Sequence, residues 1–65
     1  EAMDVNIGAK GFHFIKDNLV FDQLIWEFGT DSNPAWVHVS YKKTNNRKQV
    51  LKASKKNGKT IYTSY

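Results

Sequence analysis

Three runs of this chain change side with a period of two, the spacing that a β-strand uses and a helix cannot. Phe21 to Phe28 sets Leu24, Trp26 and Phe28 against Gln23, Ile25 and Glu27. Trp36 to Tyr41 sets Val37, Val39 and Tyr41 against Trp36, His38 and Ser40, and Ala2 to Ile7 sets Met3, Val5 and Ile7 against Ala2, Asp4 and Asn6. Successive side chains of a strand point to opposite faces, so each run offers a sheet one bulkier apolar face and one mixed face. The chain has 65 residues, enough for one small domain, and no cysteine with which to staple it. A hydrophobic content of 40% and an aromatic content of 14% are sufficient for a folded core and argue against wholesale disorder. No apolar run reaches the length that spans a bilayer and no signal peptide is visible, so no membrane partner is expected.

Between the strands the pattern changes. Gly8-Ala9-Lys10-Gly11 reads as a break, and Phe12 to Leu19 as a short helix with Phe12, Ile15 and Leu19 on one stripe, widened by Phe14. Gly29 to Pro34 reads as a loop of suitable length for the strands on either side to pair antiparallel. Asn46, followed by Gln49, resembles a capping box and predicts a second helix with Val50 and Leu51 buried and Arg47, Lys48, Lys52, Lys55 and Lys56 wet. Asn57-Gly58 predicts a tight turn, and Ile61 and Tyr62 a short last strand at a sheet edge. The expected architecture is α+β: one domain over residues 1–65, a small antiparallel sheet with two short helices on one face, in the order β-α-β-β-α-β. Its core would draw on Phe14, Ile15, Leu19, Leu24, Trp26, Val37, Val39, Val50, Leu51 and Ile61.

Charge is segregated along the chain. All six acidic residues precede position 32, whereas eight of the ten basic ones lie between Lys42 and Lys59, for a net charge of +4. The basic third suits nucleic acid, an anionic cell-wall polymer or an acidic segment, although a solvated helix and turn would look the same. Nucleic acid is the weakest of these, because the basic residues lack interleaved aromatics outside Tyr62 and Tyr65 and no recognised binding motif is present.

Asp4 and His38 are the residues whose placement asks for a chemical reason. Aspartate is disfavoured inside a strand, and burying it needs a cation, a metal or several donors. By pattern alone, a single strand histidine is more often packed or half-exposed than a ligand. Glu27 shares a face with Gln23 and could line one cleft with it, or could face solvent or pair with a lysine, which is the slightly favoured alternative. Asp31 is a weaker acid for the same cleft, and His13 is expected to point to water. Trp36 and Tyr41 could stack on a substrate or belong to the core. There is no glycine-rich phosphate loop and no Ser-His-Asp set.

The segments Phe21-Asp22-Gln23-Leu24-Ile25-Trp26-Glu27-Phe28, Trp36-Val37-His38-Val39-Ser40-Tyr41 and Asn46-Arg47-Lys48-Gln49-Val50-Leu51 together resemble the C-terminal half of the D-alanyl-D-alanine carboxypeptidase-like zinc peptidases of bacteria and phages. That family shares its metal scaffold with the Hedgehog signalling domain. Glu1-Ala2-Met3-Asp4-Val5 resembles the end of the family's first motif, His-x-x-Gly-x-Ala-x-Asp. The resemblance implies Asp4 and His38 as zinc ligands and peptidoglycan stem peptides as substrate; beside it, Glu27 is the remaining carboxylate that could approach as general base from the neighbouring strand, with Gln23 on its face and Trp36 as candidate substrate-binding residues. The resemblance further implies a setting in the bacterial periplasm, at the cell surface or in a phage lysin. The motif's histidine would fall ahead of Glu1, and the acidic residue that some relatives place before the last ligand is here Ala35. The resemblance therefore describes the C-terminal portion of a larger peptidase domain, inactive alone, with an open sheet edge that could pair with a second copy. The alternative from another class is a non-catalytic binding or structural module that has lost the metal.

Overall fold

Residues 1–65 are all described by a computed structural model. The chain runs β1 (Ala2–Val5), α1 (Gly8–Asn18), β2 (Gln23–Glu27), β3 (Trp36–Ser40), β4 (Gln49–Lys56) and β5 (Lys59–Ser64). The five strands form one mixed sheet in the order β1-β3-β2-β4-β5. β3 pairs antiparallel with both β1 and β2, and β5 antiparallel with β4, while β2 and β4 run parallel. The three period-two runs are thus the adjacent strands β1, β3 and β2, and the last strand lies at an edge as expected.

The expected architecture is corrected in two respects. There is one helix rather than two, and the sheet is mixed rather than antiparallel, so the order is β-α-β-β-β-β. The segment read as a second helix is β4, the longest strand. Positive φ angles at Asn45 and Lys48 prevent a helix from starting there. The Asn46 side chain caps nothing: it donates to the Lys42 carbonyl and accepts from the Lys42 N–H, both at 2.8 Å, closing the preceding loop on itself. Val50 and Leu51, adjacent in sequence, serve the two faces of the sheet instead of one stripe of a helix. Val50 packs on the core and Leu51 faces the opposite side.

The connection from β3 to β4 passes the start of β2, and Asp22 holds it there. Its buried carboxylate accepts from the Arg47 backbone N–H at 3.1 Å, from Nε at 2.9 Å and from Nη2 at 2.8 Å, with Lys42 Nζ at 3.6 Å. Backbone bonds from Lys48 N–H to Phe21 O and from Gln49 N–H to Asp22 O then set β4 in parallel register with β2.

α1 covers one face of the sheet. Phe12, Phe21, Leu24, Trp26 and Val37 form the fully enclosed cluster, with Val5, Ala9, Ile15, Val39 and Val50 around it. Phe12 meets Trp26 edge-on, ring centroids 5.2 Å apart at 81°, a favoured aromatic geometry. Tyr65 closes over Phe12 at 4.9 Å. The helix starts at Gly8, within the run read as a break, because its cap comes from far along the chain. Asn33 Oδ1, in the β2–β3 loop, accepts the Ala9 N–H at 3.0 Å and satisfies one of the free amides of the first turn. Phe14 and Leu19, expected in the core, are exposed, as is Ile61.

Candidate metal site and adjoining cleft

The sheet face opposite α1 is uncovered, and the same alternation that buries Leu24, Trp26 and Val37 turns Asp4, Gln23, Ile25, Glu27, His38, Gln49 and Leu51 onto it. Asp4 and His38 are direct cross-strand partners. Reciprocal backbone bonds between Glu1 and Tyr41 fix the alternation of the β1–β3 ladder, which puts Asp4 and His38 at a non-hydrogen-bonded pair, where side chains stand closer. Their side chains meet, His38 Nδ1 to Asp4 Oδ1 at 2.9 Å. Glu27 lies one step along the next strand: its partner on β3 is Trp36, and Ile25 is the partner of His38. One ligand atom from each of Asp4, Glu27 and His38 lies within 4.8 Å of the others.

Burial pushes the Glu27 carboxyl above the usual carboxylate range, the neighbouring Asp4 charge adds to the rise, and His38 opposes it. A carboxylate kept basic by a part-apolar setting and a second acid is the state that a proton acceptor requires.

One imidazole and two carboxylates match the nitrogen and oxygen donors that zinc accepts. The 4.8 Å span is wider than the ~3.3 Å between donors at tetrahedral zinc with ~2.0 Å bonds. Asp4 Oδ1 and His38 Nδ1 already stand 2.9 Å apart, and the Asp4 side chain is 58% exposed, so modest side-chain rotation can close the remaining difference. The donor set therefore fits a metal ion.

A cleft of about 430 Å³ adjoins these residues, lined by Gln23, Ile25, Glu27, His38, Gln49, Leu51 and Tyr62. Gln23 Nε2 donates to Gln49 Oε1 at 2.8 Å across the parallel β2–β4 pair. Of the residues singled out in the sequence, Asp4, Glu27 and His38 come together and Gln23 lies in the cleft beside them, whereas Trp36, the exposed strand partner of Glu27, is not one of the residues that line it. Asp31 is remote and ion-paired with Lys52, which holds its carboxyl low. His13 is exposed on the other side of the sheet, against Phe12 and Tyr65. Gln49, Leu51 and Tyr62 are cleft residues that the sequence reading missed. Reading 46–56 as a helix hid the alternation that would have placed Gln49 and Leu51, and Tyr62 is aligned only through its partner Ala53.

Compared with known protein families, with curated proteins and with solved structures, the chain matches none. No helix is long and apolar enough to cross a membrane.

Proposed function

We propose that this chain carries part of the active site of a zinc-dependent peptidase acting on peptidoglycan stem peptides, with Asp4 and His38 as metal ligands and Glu27 as the proton acceptor. The convergence of one imidazole and two carboxylates beside a cleft supports this reading. Zinc, when bound, would lower the pKa of a water molecule toward ~7 and polarise a carbonyl. Glu27 would take the proton from the attacking water and pass it to the leaving amine, and its raised proton affinity suits both transfers. Asp4 Oδ1 and His38 Nδ1, 2.9 Å apart, would give up their direct contact to hold the metal between them. Gln23 would orient the substrate in the cleft, and Trp36, exposed as the strand partner of Glu27, would flank the reacting bond.

A second reading, a non-catalytic module without metal, draws on the same bond: Asp4 and His38 satisfy each other directly. Calorimetric titration with zinc separates the two. One-to-one binding at micromolar dissociation constant or tighter, lost in His38→Ala and weakened in Asp4→Asn, supports the peptidase lineage. No heat of binding in the wild-type chain, with the fold intact by circular dichroism, favours the module.

A further inference from the structure

The cleft beside the metal site is lined by seven residues, none of them lysine or arginine. Lys55, farther along β4, has its ammonium over the Phe28 ring at 5.9 Å, and Lys52 is paired with Asp31. A free substrate carboxylate would thus enter a space whose ionisable neighbours include Glu27, with no fixed cation to receive it. A divalent ion would not supply the missing charge, because Asp4 and Glu27 formally offset it.

The far end of the cleft has a different polarity. The single bond between the Gln23 and Gln49 side chains leaves one carboxamide oxygen and one NH₂ group free, whichever way the two amides are turned. That is the complement of a peptide group, which brings one N–H and one C=O. Ile25, Leu51 and Tyr62 give the space between an apolar floor and wall, suited to a small uncharged side chain.

We propose that the cleft binds the interior of a neutral peptide, with the paired glutamines gripping a backbone amide, and that it discriminates against a free C-terminal carboxylate. This rests on the peptidase reading and narrows it to endo-type cleavage: the scissile bond would lie over Glu27 and His38 while the chain continues past Gln23 and Gln49.

The test is an NMR titration of the full chain, with and without zinc, using N-acetyl-alanyl-alanine methylamide and the corresponding free acid. The expected result is that the capped peptide shifts the Gln23 and Gln49 side-chain amide signals and the Leu51 methyls, binding about fivefold or more tightly than the acid. Gln49→Ala, an exposed side chain, should abolish that preference while leaving zinc affinity unchanged. Equal or tighter binding of the acid, shifts centred on Lys56 and Lys59, or no binding of either peptide would overturn the proposal. A wild-type chain that binds the capped peptide in the cleft but takes up no zinc would instead overturn the peptidase reading and leave the cleft assignment standing.

Discussion

Two carboxylates of this small molecule are displaced from ordinary behaviour in opposite directions, and pH separates their effects. The Asp22 carboxyl is held well below the usual carboxylate range by the Arg47 side chain and backbone amide, with Lys42 adding to the pull and burial opposing it. A carboxylate with a lowered native pKa stabilises the fold fully above its ordinary range and loses that contribution as pH falls through the native value. Asp22→Asn should lower the urea midpoint near neutral pH and flatten its decline below about pH 4, measured as midpoint against pH. Glu27 runs the other way. Its raised native pKa means that the folded chain binds more protons there than the unfolded one, so Glu27 costs nothing in acid and withdraws stability as pH rises through its native pKa. Glu27→Gln should therefore melt higher than wild type near pH 7 and match it below about pH 4. Without metal, a Glu27→Gln chain that melts no higher at neutral pH would show that the carboxylate is not desolvated.

At the scale of elements, most of the strands were legible, but β4 was not and read as a second helix. β2 and β3 are buried by their alternation, and residues of one type on one face can be read without knowing their partners. The segment from Gln49 could not be read this way, since Val50-Leu51 is apolar on both sides of a strand and its parallel neighbour lies far back in the chain. The core shows the same limit. Phe12 and Phe21 are fully enclosed whereas Phe14 and Leu19 are exposed, because α1 starts a turn earlier than its own residues indicate, on a cap from Asn33. Asp4, Glu27 and His38 were recognisable as candidates because each lies on a clear strand, but their meeting depends on registers the sequence does not state. The Asn57-Gly58 turn was legible because both residues adopt positive φ, 53° and 78°, the geometry of a two-residue hairpin turn that favours Asn-Gly. Gly58→Ala meets no steric obstacle, so its cost is the backbone alone. A loss of about 1 kcal/mol should appear as faster hydrogen exchange along β4 and β5, with β1 and β3 unaffected.

For the molecule as a whole, the segregated charge has a structural outlet. Of the eight basic residues between Lys42 and Lys59, Lys42 and Arg47 reach Asp22 and Lys52 reaches Asp31. Lys48 and Lys55 lie over the rings of Phe21 and Phe28. Much of the basic third therefore ties the second half of the chain to the first, and only Lys43, Lys56 and Lys59 stand apart from these contacts. That is a thin basis for a polyanion surface. If nucleic acid were bound through so few cations, its affinity would be weak and its salt dependence shallow.

The parallel pairing of β2 with β4 also bears on how the molecule is made. Gln23 and Gln49, which face each other in the finished sheet, are 26 residues apart, and every residue between them must leave the ribosome before they can meet. During synthesis the Leu24-Ile25-Trp26 segment therefore has β3 on one flank and nothing on the other, its hydrogen-bonding edge bare. The central strand of the native sheet is thus an open template for pairing with another chain until β4 arrives.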